Sequence, residues 1–298
     1  MTDTYTDEHG NKTLFRSILV PISSEFYPPA VFQISAFLAK AFQGTVTSVY
    51  VTEKRIFDDF DRLSDAHLSL YEREETEHDM RSEHLAQAEQ IVFEDAKSFF
   101  KKREIPLQTK CVEGEFSEVI KNEIETNQYD LIVMGYGKAC FIDYRLLDEI
   151  PIPIWIESGA DTDTILAVCS NLAPNQKIHV FGKQISELFG KKLHMMYVAD
   201  LEDPVIVDSS GNRSGKKTKE ELIQKGQEFV EFMRQKGIQV NLVTGVFEKE
   251  VQKAAKKINP RLILIGREQK RKGRLGLPMK NVKRRLAGHC DYSFLFIN

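Results

Sequence analysis

The densest chemistry in the 298-residue chain is a run of cations. Between Arg267 and Arg285 stand Arg267, Lys270, Arg271, Lys272, Arg274, Lys280, Lys283, Arg284 and Arg285, interleaved with Gly273 and Gly276 and opposed only by Glu268. Guanidinium and ammonium groups beside glycines suit a phosphate or another polyanion, because charge-assisted hydrogen bonds are strong and glycine lets backbone N–H groups come close. The same charges also suit a solvated loop and helix, or contact with acidic surface elsewhere in the chain. No aromatic residue is interleaved with them, so stacking of single-stranded bases is not supported.

Other candidates read more plainly. His67, His78 and His84 lie among Glu72, Glu74, Glu75, Glu77 and Asp79. His78 and His84 are separated by about 600° of helical rotation and share no face. With no H-E-x-x-H present, a solvated charged helix is expected there, and no metal ligand is assigned. Ser23-Ser24 lacks the G-x-S-x-G of a nucleophile elbow, so turn or capping roles are expected and no catalytic residue is assigned. Four cysteines, Cys111, Cys140, Cys169 and Cys290, form no C-x-x-C. Cys111, within an apolar strand, is expected to be a buried, inert thiol, while Cys140 and Cys169 near the ligand end are flagged for redox chemistry.

The elements that position these residues come in two sets. A chain of this length is expected to hold two domains. Hydrophobic residues at 42% and charged residues at 29% exclude a disordered or collagenous chain, and no apolar run is long enough to cross a bilayer. The start lacks the basic and apolar segments of a secretory signal, and with the sparse cysteines this makes the cytoplasm the expected compartment. Residues 1–160 carry 16 Lys/Arg against 29 Asp/Glu, and residues 161–298 carry 25 against 15. An acidic half and a basic half are expected to attract each other, within one chain or between two.

The sets repeat. Ile18-Leu19-Val20-Pro21-Ile22-Ser23-Ser24 answers Ile165-Leu166-Ala167-Val168-Cys169-Ser170-Asn171 at an offset of 147. Short apolar runs ending in turn residues predict buried parallel strands. Val31, Ile34, Leu38 and Ala41 answer Ile178, Phe181, Ile185 and Leu188, which predicts one apolar helix face in each copy. Gly44 and Gly190 are expected to stop those helices as left-handed caps. A second strand, Val46 to Val51, matches Leu193 to Val198, with Tyr50 on Tyr197. Farther on the offset is 131: Cys111 to Gly114 answers Leu242 to Gly245, Phe116, Ile120 and Ile124 answer Phe247, Val251 and Ala255, and Leu131 to Gly135 answers Leu262 to Gly266. The 16-residue difference lies between Tyr50 and Gly114, where the first half carries a Glu/Asp-rich stretch from Phe57 to about Gln90 that is therefore expected outside the core. Closing strands are expected at Ile152 to Ile156, around Trp155, and at Ser293 to Ile297. Alternating strands and helices demand a parallel, doubly wound sheet with right-handed crossovers in each half. In such sheets a ligand sits beyond the carboxyl ends of the strands, where the strand order reverses.

Both halves resemble universal stress protein domains. The marks are Ile18-Leu-Val-Pro21, the Val-x-Gly of Val112 to Gly114 and Val243 to Gly245, and Asp130-Leu-Ile-Val-Met-Gly135. The resemblance implies two tandem flavodoxin-like (adenine nucleotide alpha hydrolase-like) domains, 1–159 and 160–298, each a five-stranded parallel doubly wound sheet. It also implies dimerisation through the final strand, and in one subgroup ATP or AMP held by an Asp after the first strand and a G-x-x-G-x(9)-G-[S/T] loop after the fourth. On that alignment the Asp position is Ser23 in the first half and Cys169 in the second. The loop glycines are replaced by Lys138 and Gln269, and the Gly-Ser pairs fall on about Cys140-Phe141 and Lys280-Asn281. The candidate nucleotide or anion residues are therefore Ser23, Val51, Gly135 and Gly137, and in the second half Cys169, Val198, Gly266, Lys272, Gly273, Gly276, Lys280 and Asn281. The expected function is a non-catalytic stress-response or regulatory module with degraded nucleotide sites. Its expected partners are the two halves as an intramolecular pseudo-dimer, with a homodimer and a protein client in view. Two alternatives stand: ATP or AMP binding with slow hydrolysis through the loop after Gly266, and polyanion binding by the basic half.

Overall fold

A computed structural model describes residues 14–23, 29–52, 93–135, 146, 150–266 and 292–297. They form two compact units, one spanning Phe15–Gly135 and the other comprising the described residues after it, with Leu14.

The first unit runs β1 (Ser17–Ser23), α1 (Pro29–Phe42), β2 (Thr45–Thr52), α2 (Glu94–Lys101), β3 (Leu107–Glu113), α3 (Phe116–Thr126) and β4 (Leu131–Gly135). Its strands pair in parallel in the order β3-β2-β1-β4. Both faces of β1 are covered, since Ile18, Leu19, Val20 and Ile22 are all fully buried, as expected for a strand with helices on each side. Val31, Ile34 and Leu38 form the buried stripe of α1 that their spacing predicts. Asp130, just before β4, binds the entry to β1: its Oδ2 accepts from the backbone N–H groups of Arg16 and Ser17 at 2.9 and 3.0 Å, and its own N–H donates to the Ser17 carbonyl.

The second unit holds β5 (Ile154–Glu157), β6 (Thr164–Ser170), α4 (Ile178–Phe189), β7 (Lys192–Asp200), α5 (Lys219–Gln235), β8 (Val240–Gly245), α6 (Phe247–Ile258), β9 (Leu262–Gly266) and β10 (Ser293–Ile297). Five strands pair in parallel in the order β10-β9-β6-β7-β8, and β5 lies antiparallel on the free side of β10. The architecture is α/β, mostly parallel and doubly wound. The strand that closes the first sequence repeat is thus packed in the second compact unit, and Trp155 on it is fully buried.

Two expectations are corrected. Gly190 is the left-handed cap of α4, with φ 62°, but the left-handed residue after α1 is Gln43, with φ 53°. Gly44 is needed for another reason: a β-carbon there would lie 2.6 Å from the Arg16 carbonyl oxygen and 2.9 Å from that of Phe15. Cys111 is only partly buried, because β3 is the outer strand of its unit and has one neighbour.

Pro21 marks a further difference between the copies. β1 pairs with β2 along all of Ser17–Ser23 but with β4 only at Ile18 and Leu19, whereas β6 pairs with β9 from Ile165 to Val168. Proline has no N–H to add to a ladder, and Val168 stands at its position in the second copy.

Candidate functional site

The carboxyl end of the second sheet is built by residues that follow its strands. Asn171, directly after β6, is 1% exposed. Its Oδ1 accepts from the Asp200 N–H at 2.6 Å and its Nδ2 donates to the Val205 carbonyl at 2.7 Å, with longer contacts of 3.4 Å to the carbonyls of Asp200 and Asp203. Its own carbonyl accepts from Val207. One amide therefore clamps the segment that leaves β7 across the end of β6. Asn175 closes the turn beneath it: Oδ1 accepts from the Ser170 N–H and Nδ2 donates to the Ser170 carbonyl. Ser170 Oγ accepts from the Leu172 N–H.

Asp200 ends β7 with 3% of its surface exposed. Its Oδ1 accepts from the N–H groups of Glu202 and Asp203, both at 2.8 Å, and its Oδ2 accepts from the N–H of Phe247, the first residue of α6, at 2.6 Å. A helix N-terminus attracts an anion through its unpaired N–H groups and dipole, and here the chain supplies that anion itself. The segment 201–217, which stands where the first copy has its acidic stretch, folds as a strap. A Val207–Arg213 bridge, the Asp203–Arg213 ion pair at 2.9 Å and the Lys217 N–H on the Pro204 carbonyl hold it. It leads into α5, which opens on a capping box of Thr218 and Glu221.

The turn after β6 also fills the place where strand order reverses. A β-carbon on Gly266, at the end of β9, would lie 2.7 Å from the Pro174 carbonyl oxygen and 3.2 Å from Ala173 Cβ. Gly266 thus admits the chain's own backbone, at a distance that no other residue permits.

Of the residues expected from sequence, the structure gathers Val198, Cys169 and Gly266 at this end. The strand register pairs Ser23 with Val51 and Ser170 with Val198, so Ser170 and not Cys169 is the counterpart of Ser23. The constant offset of 147 carried that signal. The Cys169 side chain is buried, and burial pushes its thiol well above the ordinary cysteine range, which makes it a poor nucleophile. Burial likewise raises the Tyr197 hydroxyl beside it. In the first copy, Ser23 is partly buried at the end of β1 and Val51 and Gly135 are buried. Ser24, His67, His78, His84, Cys140, Cys290, Gly137, Lys138 and the whole basic run with Lys272, Gly273, Gly276, Lys280 and Asn281 lie outside the described residues. Asn171, Asn175 and Asp200 were missed; the signal for Asn171 and Asp200 was an Asn or Asp placed directly after, or at the end of, an apolar strand.

Among the described residues, no group of three His, Cys, Asp or Glu could hold a metal ion, and no helix is long and apolar enough to cross a membrane.

Residues 14–148 match the model of the universal stress protein family. The matched segment contains Asp130, β4 and the turn at Gly114, which read as marks of that family. Solved structures extend the likeness in fold. A chain described as a universal stress protein of Pseudomonas aeruginosa UCBPP-PA14 aligns with a TM-score of 0.62 at 15% identity, covering 95% of this chain and 93% of its own. A functionally unknown protein of Pseudomonas aeruginosa PAO1 aligns with a TM-score of 0.61 at 14% identity, covering 95% and 92%. A universal stress protein of Archaeoglobus fulgidus aligns with a TM-score of 0.60 at 14% identity, covering 95% and 98%. No curated protein sequence matches the chain.

Proposed function

We propose that the chain is a tandem universal stress protein, with repeats 1–159 and 160–298, acting as a non-catalytic regulatory module in the cytoplasm, and that neither repeat holds adenine nucleotide at the family's standard site. The observation that carries this reading is the contact of Gly266 with Pro174, since it sets protein backbone where strand order reverses and a ligand would otherwise enter. The Asp200 carboxylate on the α6 N-terminus supports it further. In the first repeat the support is sequence: Ser23 in place of the aspartate and Lys138 in place of the loop glycine. Antiparallel pairing of β5 with β10 supports an intramolecular pairing of the repeats through their closing strands.

Titration calorimetry of the full chain with ATP, AMP and cyclic AMP tests the proposal. The expected result is no saturable heat for any of them. Micromolar affinity for one would overturn the reading, and loss of that affinity on Lys272→Ala with Lys280→Ala would assign it to the basic loop instead.

A further inference from the structure

The β5–β10 pair of the second unit has little in its apolar sequence to say how its strands should align. β5 is Ile-Trp-Ile-Glu and β10 is Ser-Phe-Leu-Phe-Ile, and Ile154, Trp155, Ile156, Phe294, Leu295 and Phe296 are all buried. Register is strongly specified when a polar face must stay out and an apolar face in; where both faces are apolar, that constraint is lost.

A polar network stands at one end of this pair. Glu157, 3% exposed, accepts at Oε2 from Trp155 Nε1 at 2.8 Å and at Oε1 from the Gly159 N–H at 2.9 Å and from Ser293 Oγ at 3.1 Å. The single Ser293 hydroxyl proton is committed to the carboxylate, so Ser158 must donate in the 3.2 Å contact between the two serine oxygens. The Ser158 N–H also donates to Ser293 Oγ, and the Ala160 N–H donates to Ser158 Oγ. Every hydrogen bond points toward the carboxylate, an arrangement in which each donor is polarised by the next. Trp155 and Gly159 belong to the same segment as Glu157, so the donor that β10 supplies is Ser293, which stands opposite Glu157, one step beyond the Phe294–Ile156 pair.

We propose that the buried Glu157 carboxylate is the register lock of the β5–β10 pair: it selects one alignment among several of equal apolar content. A slip of two residues would carry Glu157 opposite Leu295 and remove the Ser293 donor, leaving the buried carboxylate one donor short. Losing a donor to a buried carboxylate is costlier than exchanging one apolar contact for another. A slip of one would set Ser293 and Glu157 on opposite faces of the sheet and part them as well.

Trp155 is the chain's single tryptophan, so the 15N-labelled full-length protein should show one indole cross-peak. In Glu157→Leu the lock is gone and the apolar content is kept. The expected spectrum has two or more indole peaks, or one broadened by exchange, with unchanged far-UV circular dichroism. In Ser293→Ala the carboxylate keeps two donors, so one peak should remain while the Gly159 amide exchanges with solvent at least tenfold faster. A single sharp indole peak in Glu157→Leu, with nuclear Overhauser contacts still joining Ile156 to Phe294, would overturn the proposal. If Glu157→Leu does not fold, Glu157→Gln is read by the same criterion, because its amide nitrogen cannot accept from the groups that now face the carboxylate.

Discussion

Gln43 and Gly190 hold the same place in the two repeats and the same left-handed backbone, with φ of 53° and 62°, yet the chain around them differs. After α4 a β-carbon on Gly190 would meet nothing within 4 Å, so only backbone preference favours glycine there. After α1 the left-handed position carries a glutamine, and the glycine comes one residue later, under two carbonyl oxygens. One repeat uses glycine for its torsion angle and the other for its lack of volume. The entries to β1 and β6 diverge in the same way. Asp130 accepts from backbone N–H groups, whereas its counterpart Arg261 donates to the Ala160 carbonyl and Asp161, both at 3.0 Å, and lies over the Phe189 ring. Opposite charges anchor equivalent strands, because a backbone offers both donors and acceptors.

The largest effect that would sharpen this contrast is Gly44→Ala. The clash is with backbone, so urea unfolding should show a loss of about 3 kcal/mol, at the upper end for overpacking. Next is Asp200→Ala, which leaves three N–H groups without their acceptor and should cost about 2 kcal/mol in the same assay. A loss under 0.5 kcal/mol, roughly the range of an ordinary surface change, would show that the α6 N-terminus does not depend on this internal anion. Gly190→Ala has room for the methyl and should cost about 1 kcal/mol, the penalty of a left-handed L-residue. A cost equal to that of Gly44→Ala would erase the distinction between torsion and volume. Gln43→Gly relieves the same strain but loosens the unfolded chain, so a gain of about 0.5 kcal/mol is expected. The smallest effect is Glu221→Gln at the α5 cap. The Thr218 N–H, then Lys217, hold the Glu221 carboxyl below its ordinary value. Its contribution is therefore present above the ordinary carboxylate range and lost as pH falls through the lowered folded value. The midpoint difference between wild type and Glu221→Gln should shrink on acidification below pH ~4.

The α/β class, the apolar strands and the apolar helix stripes were legible because spacing alone encodes which faces are buried. Ile18 and Ile165, or Val31 and Ile178, announce their burial by type and period. The polar closure of the second sheet was less legible. Asn171 and Asp200 are ordinary turn residues in sequence, and their weight comes from groups 29 and 47 positions away that only the folded chain brings within 3 Å. Ser170, not Cys169, answers Ser23 because the constant offset of 147 within the chain is a better ruler than a family pattern. The assignment of Gly44 as a cap failed because two demands on glycine, torsion and space, look alike on paper.

The seat of β5 has a consequence for where the chain can be cut. By sequence this strand closes the first repeat, but its backbone pairs with β10 in the second compact unit. Cutting after residue 159 would strip Phe294, Leu295 and Phe296 of that cover and leave a row of open amides and carbonyls on β10, a template for fibre-like self-stacking. A fragment that begins there would be less soluble than the full chain.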